Sequence, residues 1–388
     1  MQDTIAIVGA GIGGLTAALA LQQSGRRVRV YEQVDRLGEV GAGLTLSPNA
    51  TRILIGLGLE EPLRAVAIAP DVQIIQHYQT GRGLVQVTRG ADTERRYGAP
   101  YWQIHRADLH DTLLAAVRSR DPECIRLGHR LTDCDQDGDT VTLHFQDGRS
   151  EPAAALIGAD GIRSLVRSRL FGDDAPHFTG YAVWRGLVPV QSLSRAAMSV
   201  PAGVFIGPGR MLAHYLLRDG RLLNYAASTR RKAWTEEGWN IKAPVDELLA
   251  DFSDFHAAAR EILAATPPDG CFRWGLFSRD PLATWSVDRI TLLGDAAHPV
   301  LPFIGQGANL AIEDALVLAR AVAATPELGS ALARYERARA GRCERAMHGS
   351  VAAVENYLST TPEDFDAQQL INEETLGLFD YDAATVPV

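Results

Sequence analysis

The chain has 388 residues, of which 46% are hydrophobic and 22% charged, which is enough for a large buried core. Its formal net charge of −9 argues against nucleic acid or an anionic membrane as the main partner. The four cysteines form neither a CxxC pair nor a metal-ligand spacing with histidine, so we expect a reduced, cytoplasmic protein without a metal site. No signal peptide and no apolar run of transmembrane length is recognisable.

The first predicted elements form a dinucleotide-binding unit. Residues 4–8 are a short β-rich run, residues 9–14 read GAGIGG, and an Ala/Leu helix follows that ends at Gly25. A second strand, VRVYE, covers residues 28–32. This β-α-β unit predicts a parallel sheet.

The glycine motif has a specific physical purpose at each position. Gly9 permits a tight turn, Gly11 lets backbone N–H groups approach a pyrophosphate, and Gly14 allows close packing of helix on strand. Gly13 belongs to the same predicted cofactor-binding loop. Glu32, at the end of the second strand, would accept hydrogen bonds from the adenosine ribose. The alternative is a glycine-rich turn that only packs, and the motif alone does not separate FAD from NAD.

The remaining elements suggest a discontinuous fold. Residues 105–120 have helical spacing, and two strands follow, VTLHFQDG and AAALIGADG. From about residue 176 to 275 the pattern is that of a mostly antiparallel sheet. RITLLGD, at 289–295, returns to the pattern of a buried parallel strand, and residues 309–358 are helical.

Two further motifs identify a resemblance. GADGIRSLVR begins at Gly158, and GDAAHPVLPFIGQGANLAIEDA begins at Gly294. Together with GAGIGG and HRADLHDTL, in this order, they resemble the FAD-dependent aromatic hydroxylases, the single-component flavoprotein monooxygenases with the para-hydroxybenzoate hydroxylase fold. The resemblance covers nearly the whole chain and is strongest to the salicylate, 3-hydroxybenzoate and 6-hydroxynicotinate hydroxylases.

The resemblance implies an α/β fold. We expect a Rossmann-like FAD-binding domain of the GR2 type, with a parallel sheet and a β-meander, formed by residues 1–175 and 276–330. A mostly antiparallel substrate-binding sheet would be inserted at 176–275, and C-terminal helices with a tail would cover 331–388.

The resemblance also implies cofactor contacts outside the glycine motif. Asp295 would bind a hydroxyl of the FAD ribityl chain, and Arg106 would reach the phosphate and ribityl region. Gln33 and Leu131 would contact the adenosine, while Asp160 would touch FAD indirectly and help to bind the nicotinamide cofactor. Two alternatives stay open: Arg106 as a helix cap, and Asp160 as a simple Asp-Gly turn residue.

A second glycine-rich turn would lie along the pyrimidine edge of the flavin. Gly305 and Gly307 would let backbone N–H groups approach the ring, and the helix that begins near Ala308 and Asn309 would direct its positive end there. Reduced flavin is anionic at that edge. His298 forms an Asp-x-x-His pair with Asp295, but we expect it to be structural and held by the loop.

The implied activity is hydroxylation of a small phenolic or hydroxypyridine carboxylic acid. It would use NADH or NADPH and O2, through a flavin C4a-hydroperoxide. A homodimer is expected from the resemblance. Two alternatives remain: another chemistry on the same fold, such as an epoxidase or reductase, and a non-catalytic redox sensor that binds a dinucleotide.

The candidate catalytic residues lie in the strand MLAHYLL. Tyr215 stands where some relatives carry a tyrosine that faces the substrate, and the adjacent His214 would face the other side of the strand. The alternative for Tyr215 is simple packing in the sheet. The 3-hydroxybenzoate hydroxylases carry a histidine at the position of Met211, and the 6-hydroxynicotinate hydroxylases carry one at the position of Thr45. Because this chain has neither histidine, the identity of the substrate stays open.

Further side chains are expected to line the substrate pocket. They are Leu44, Thr45, Leu46, Trp184, Arg185, Pro302 and Phe303. Arg185 would pair with a substrate carboxylate, or it would be a packing element of the sheet.

Overall fold

The computed structural model describes residues 3–38, 42–172, 175–235, 241–358, 362–365, 368 and 370–388. The first strands are β1 (Thr4–Val8), β2 (Arg27–Tyr31), β3 (Gly43–Leu46), β4 (Val72–His77), β5 (Gly83–Thr88), β6 (Trp102–His105), β7 (Ile125–Arg126), β8 (Leu131–Asp137), β9 (Thr140–Phe145), β10 (Ser150–Ala153) and β11 (Ala155–Gly158). The later strands are β12 (His177–Pro189), β13 (Ala202–Gly207), β14 (Arg210–Leu217), β15 (Leu222–Arg230), β16 (Ile241–Lys242), β17 (Phe272–Ser278), β18 (Ser286–Val287) and β19 (Ile290–Leu292).

The helices are α1 (Ile12–Gln23), α2 (Pro48–Gly56), α3 (Glu60–Arg64), α4 (Gly90–Tyr97), α5 (Arg106–Arg120), α6 (Leu165–Phe171), α7 (Val245–Asp251), α8 (Ala257–Ala264), α9 (Gly307–Ala324) and α10 (Leu328–Leu358). Short 3₁₀ helices lie at Val190–Ser192, Gly294–Ala296, Pro302–Ile304 and Pro362–Asp364. Within the described residues, none of the helices combines the length and the hydropathy needed to cross a bilayer.

The parallel sheet has the strand order β18-β19-β11-β1-β2-β7, and only the edge strand β18 is antiparallel to its neighbour. The predicted β-α-β unit is present, with α1 between β1 and β2. Helix α1 ends as predicted: Gly25 has φ +82°, and the Arg26 N–H donates to the Leu21 carbonyl at 3.0 Å. This left-handed glycine closes the helix and turns the chain into β2.

Two antiparallel layers complete the fold. Strands β10, β9 and β8 form the expected β-meander, and an eight-stranded sheet has the order β16-β17-β12-β15-β14-β13-β4-β5. The larger sheet includes β4 and β5, which come before the segment 176–275 that we predicted for it. Strand β13 pairs in parallel with β4, with Val204 opposite Ile75, which a local sequence pattern does not reveal. The division into domains stays a prediction.

The eight-stranded sheet buries both of its faces. The outer face packs against helices α7 and α8, with a core that includes Trp184, Phe205, Tyr225, Phe252 and Ile262. The inner face packs against α10 and the 3₁₀ turn Pro302–Ile304, with a core that includes Val183, Val204, Met211, Leu301 and Tyr357. Because side chains alternate along a strand, this division decides which residues face the parallel-sheet half of the molecule.

Candidate active site

The carboxyl ends of four neighbouring strands lie side by side at one edge of the parallel sheet. Val8 of β1 is opposite both Gly158 of β11 and Tyr31 of β2, and Gly158 is opposite Leu292 of β19. The loops that leave these strands therefore meet, and they contain GAGIGG, Glu32, the DG motif and the GD motif. Open α/β sheets bind ligands at this edge.

The glycines of the first loop meet different constraints. Gly9 has φ +105°, and a Cβ there would lie 2.3 Å from the Ala159 carbonyl oxygen. A Cβ on Gly14 would lie 2.0 Å from the Gly9 carbonyl oxygen. A Cβ on Gly11 would meet nothing within 4 Å. The fold itself therefore requires Gly9 and Gly14, whereas Gly11 borders open space of the kind that a pyrophosphate would fill.

The peptide of Ala10 is held on both sides. Its N–H donates to Glu32 Oε2 at 2.9 Å, and its carbonyl oxygen lies 2.8 Å from His110 Nε2. Arg106 lies one turn before His110 at the start of α5, on the same helix face. His110 was not predicted as a site residue, because a single histidine in a helix has no characteristic sequence pattern.

The residues predicted to contact adenosine lie beside Glu32. The His129 N–H donates to the Glu32 carbonyl at 2.8 Å, which brings the start of β8 close to the end of β2. Gln33 is exposed, whereas Leu131 is the buried first residue of β8. Their contacts with a nucleotide stay a prediction.

Asp160 caps helix α6. Its Oδ2 accepts hydrogen bonds from the N–H groups of Leu165 at 2.8 Å and Val166 at 3.3 Å. Gly161, next in the chain, has φ +78°. Burial raises the pKa of the Asp160 carboxyl. Asp160 therefore stabilises the turn and the start of α6, and its contact with a nucleotide stays a prediction.

Asp295 lies where the GD loop meets the glycine loop. Its side chain is exposed, but protein surrounds the carboxyl closely enough that desolvation raises its pKa, against the opposing charge of Arg106. Helix α1 packs directly on this loop, because a Cβ on Gly13 would lie 2.8 Å from Leu293 Cδ2. Two motifs more than 270 residues apart in the chain thus share one surface.

The turn before α9 folds around the Asn309 side chain. Asn309 Nδ2 donates to the carbonyls of Thr45 at 3.0 Å and Gly305 at 2.7 Å, and its Oδ1 accepts from the Ser47 N–H at 2.9 Å. Gly305 has φ +60°, and a Cβ there would lie 2.6 Å from Thr45 Oγ1. The Asn309 side chain thus holds the turn to β3, and its backbone N–H belongs to the first turn of α9.

Helix α9 begins beside Asp295. A Cβ on Gly307 would lie 3.8 Å from Asp295 Oδ1, so the first N–H groups of the helix, which include that of Ala308, lie near this carboxylate. The first turn of a helix leaves such N–H groups unpaired and carries partial positive charge. The turn therefore suits an anionic group of a ligand.

A buried charged cluster lies behind this turn. His298 Nε2 lies 2.6 Å from Asp314 Oδ2, Arg339 Nε donates to Asp314 Oδ1 at 2.7 Å, and the Gly294 N–H donates to Asp314 Oδ2 at 3.0 Å. Burial alone would lower the pKa of His298, but Asp314 raises it well above the usual range. Burial would raise the pKa of Asp314, but His298 and Arg339 lower it to about 2. His298 is thus part of an ion-pair cluster.

The same cluster contains a buried cysteine. Ligand atoms of His298, Asp314 and Cys343 lie within 4.8 Å of one another. Both oxygens of Asp314 are already hydrogen-bonded to protein groups. We therefore interpret the three as a structural cluster.

Glu313 extends this cluster to helix α2. Its carboxylate accepts from Arg342 Nε and Nη2, both at 2.7 Å, and lies 2.6 Å from Arg339 Nη1. Asn49 Nδ2 also donates to it, at 2.6 Å, and to Gln306 Oε1 at 3.1 Å. The sequence signal for this cluster is a Glu-Asp pair inside a mostly apolar Ala/Leu helix.

Strand β3 joins this half of the site to the eight-stranded sheet. The Gly43 N–H donates to Asn224 Oδ1 at 2.8 Å, and a Cβ on Gly43 would lie 2.7 Å from the Tyr215 hydroxyl. Thr45, two residues further on, lies against the glycine turn, with its Oγ1 2.6 Å from where a Cβ on Gly305 would be. Tyr215 and the turn at Gly305 therefore both lie against β3, at Gly43 and Thr45, which are two residues apart on the same face of the strand.

Tyr215 is a hydrogen-bond donor rather than a base at neutral pH. Burial raises the pKa of its phenol, and the nearby Tyr101 raises it further. Among the described residues, no hydrogen-bond partner meets its hydroxyl. The group is thus protonated and open to a ligand.

Three predicted site residues face elsewhere. His214 lies on the outer face of the sheet, where its Nε2 is 2.9 Å from the Val200 carbonyl oxygen and burial lowers its pKa to about 4. Trp184 lies on the same outer face and donates to Asp251 Oδ2 at 3.1 Å. Leu46 is fully buried in the main core. Strand alternation and core packing direct all three away from β3 and the glycine turn, as expected for His214, and a role of any of them toward a ligand stays a prediction.

The other pocket candidates lie at or near the junction. Leu44 is half-buried on β3, Pro302 is exposed, and Phe303 packs edge-on to Tyr181 with ring centroids 6.5 Å apart. Arg185 is on the inner face, but it is buried, with its guanidinium 5.2 Å from the centroid of the Trp274 ring. These contacts favour the interpretation of Arg185 as a packing element of the sheet.

The chain is similar to known flavin-binding proteins in both sequence and structure. A model of the FAD binding domain family matches residues 2–350. A 3-amino-4-hydroxybenzoate 2-monooxygenase of Streptomyces platensis is 40% identical over 343 residues, 88% of this chain and 85% of that protein. A 6-hydroxynicotinate 3-monooxygenase of Pseudomonas fluorescens is 34% identical over 99% of this chain and 96% of its own. A salicylate hydroxylase in complex with substrate superposes with a TM-score of 0.82 at 27% identity, over 98% of this chain and 96% of that chain. The resemblance predicted from the motifs and the fold class are confirmed.

Proposed function

The chain belongs to the FAD binding domain family, and on that premise we propose that it is a monooxygenase that hydroxylates a small hydroxylated aromatic acid. The substrate class is that of phenolic or hydroxypyridine carboxylic acids, as in the names of the two relatives. NADH or NADPH would be the reductant and O2 the co-substrate.

The residues present fit FAD. Open space at Gly11, the hydrogen-bonding carboxylates of Glu32 and Asp295, and the N-terminus of α9 suit a pyrophosphate, two sets of hydroxyl groups and an anionic ring, respectively. The groups that would hold the cofactor are Gly9, Gly11, Gly13, Gly14, Glu32, Gln33, Arg106, Leu131, Asp160, Asp295, Gly305, Gly307, Ala308 and Asn309, the last through its backbone. When bound, FAD would carry electrons from the nicotinamide to O2 and supply the oxygen that is transferred.

One observation carries this proposal: the open hydroxyl of Tyr215 and the turn at Gly305 lie against the same strand, β3, at Gly43 and at Thr45. A substrate held there would be close to both a neutral donor and the turn that suits the flavin edge. The apolar inner face of the sheet would limit the access of water. A donor to the substrate oxygen stabilises its phenolate, the form that attacks an electrophilic oxygen best.

The activity can be tested with a panel of acids. Purified protein reconstituted with FAD is mixed with 3-amino-4-hydroxybenzoate, 3-hydroxybenzoate, salicylate or 6-hydroxynicotinate, and with NADH or NADPH. We expect at least one acid to stimulate reductant oxidation and to yield a product 16 mass units heavier, or a hydroxylated product that has lost carbon dioxide. A protein that binds no FAD, or that binds FAD without any acid changing the rate or the flavin spectrum, would contradict the proposal.

Tyr215→Phe is expected to slow hydroxylation by about 10- to 100-fold or to divert reductant oxidation into peroxide release, because the substrate loses a buried donor to its charged oxygen. Coupling is measured as product formed per reductant consumed. Tyr225→Phe is the matched control, since Tyr225 lies on the outer face and its hydroxyl bonds to Thr266 at 3.0 Å. Unchanged rate and coupling in Tyr215→Phe would remove Tyr215 from the mechanism.

A further inference from the structure

Asn224 is a buried polar side chain whose orientation is fixed by the protein. Its Oδ1 accepts the Gly43 N–H at 2.8 Å, and the residue is only 4% exposed. Because an N–H group donates only to an acceptor, this bond assigns the amide oxygen to the side of Gly43. The Nδ2 group therefore points away from the Gly43 N–H.

That amide nitrogen is available to a ligand. Among the described residues, no acceptor meets Asn224 Nδ2, and the atom is not sealed from solvent. Asn224 and Tyr215 are direct cross-strand partners on β15 and β14. Both lie against Gly43, since a Cβ there would be 2.8 Å from Asn224 Cγ and 2.7 Å from the Tyr215 hydroxyl.

These two side chains share one face of the sheet and one neighbour. Each carries a neutral donor without a partner in the described part of the chain, and both face β3. A buried polar group without a partner costs free energy, so such a pair is stable only when water or a ligand completes it. An oxygen substituent of an aromatic ring, above all a phenolate, accepts two such donors at once.

We propose that Asn224 is a substrate-positioning residue whose Nδ2 donates, together with the Tyr215 hydroxyl, to the ring oxygen of the aromatic acid. This inference rests on the proposed function. The pair would determine which ring carbon is presented for hydroxylation, because it fixes the ring by the oxygen beside it. Gly43 has a specific purpose in this arrangement: its N–H orients the amide, and its missing Cβ leaves room for both side chains.

Asn224→Asp separates recognition from structure. The aspartate keeps an acceptor for the Gly43 N–H but has no donor and repels an anionic oxygen. We expect FAD content and melting temperature close to wild type, while the Kd of the acid that the wild type binds best, read from the flavin absorbance change, rises at least about 10-fold. The pKa of the bound phenol, read from its ultraviolet difference spectrum, is expected to rise as well, which a purely structural role would not produce.

Two further variants keep the test decisive. Asn224→Ala removes both ends of the amide and gives the same loss of substrate affinity if the aspartate variant does not fold. Tyr225→Phe, the next residue on the opposite face, is expected to bind substrate like the wild type. Wild-type affinity and unchanged phenol pKa in both Asn224 variants would overturn this inference alone. A wild-type holoprotein that binds none of the acids would overturn both the inference and the proposed function.

Discussion

Gly14→Ala is expected to prevent stable folding of the N-terminal unit, whereas Gly11→Ala is expected to fold normally and to lose affinity for FAD. A Cβ on Gly14 would lie 2.0 Å from the backbone carbonyl of Gly9, and backbone atoms there cannot move without separating α1 from β1. A Cβ on Gly11 meets none of the described residues within 4 Å, so the conflict that we expect is with a ligand in that space. We expect Gly14→Ala to give little soluble protein and no cooperative thermal unfolding transition. For Gly11→Ala we expect a soluble yield and a melting temperature near those of the wild type.

The affinity for FAD tests the role of Gly11 directly. FAD affinity, measured by quenching of flavin fluorescence, should fall at least about 10-fold in Gly11→Ala, because the methyl group displaces the pyrophosphate from the loop N–H groups. Gly56→Ala is a suitable control: its Cβ would also meet none of the described residues within 4 Å, and Gly56, at the end of α2, lies far along the chain from the glycine loop. A Gly11→Ala protein with wild-type FAD affinity would mean that the pyrophosphate does not bind at this loop.

Arg339→Met is expected to lower the free energy of unfolding by about 3–5 kcal/mol, because it leaves buried carboxylates without a counter-charge. Arg339 is fully buried and lies 2.7 Å from Asp314 and 2.6 Å from Glu313, both of which are also fully buried. Chemical denaturation of the FAD-free protein measures the change. Arg345→Met, an exposed position on the same helix, should stay within about 0.5 kcal/mol of wild type.

The pH dependence of the same cluster gives an independent check. The pKa of Asp314 is lowered to about 2 in the folded protein, so its contribution to stability is present above its unfolded pKa of about 4 and is lost as the pH falls toward 2. The pKa of His298 is raised, so its contribution is complete below its unfolded pKa of about 6.5 and is lost as the pH rises toward the folded value. The cluster should therefore stabilise most between about pH 4 and 6.5. In His298→Gln, the free energy of unfolding should no longer decline as the pH rises above about 6.5. If the decline persists in this variant, another group causes it.

Much of the cofactor half of the site could be predicted from the sequence. The glycine motif, Glu32 and the GD loop are local patterns whose residue types have few other uses, and their order along the chain excludes most other folds. The parallel register then brings them to one sheet edge, as expected for strands that end together. The helix that ends at Gly25 was also readable, because left-handed glycine is a local requirement.

The substrate half could not be predicted in the same way. His214 and Tyr215 are adjacent in the sequence, and the resemblance alone suggested which of them faces the substrate. The sheet shows that the tyrosine faces β3 while the histidine lies on the side of helices α7 and α8. Alternation predicts that neighbours differ but does not say which one faces inward. The outward orientation of Trp184 was not predictable for the same reason, since a tryptophan suits either face of a buried strand.

By itself, the sequence determined the β-α-β unit, the family and the loops that a dinucleotide would occupy, because each depends on neighbouring residues. Only the tertiary structure brought Gly43, Asn224, Tyr215 and Gly305 together, from strands and turns that lie far apart in the chain. The same holds for the buried ion pairs of Asp314 and Glu313 with α10. The physical reason is that a side chain's partner across a sheet or between helices is set by register and packing, which no local pattern encodes.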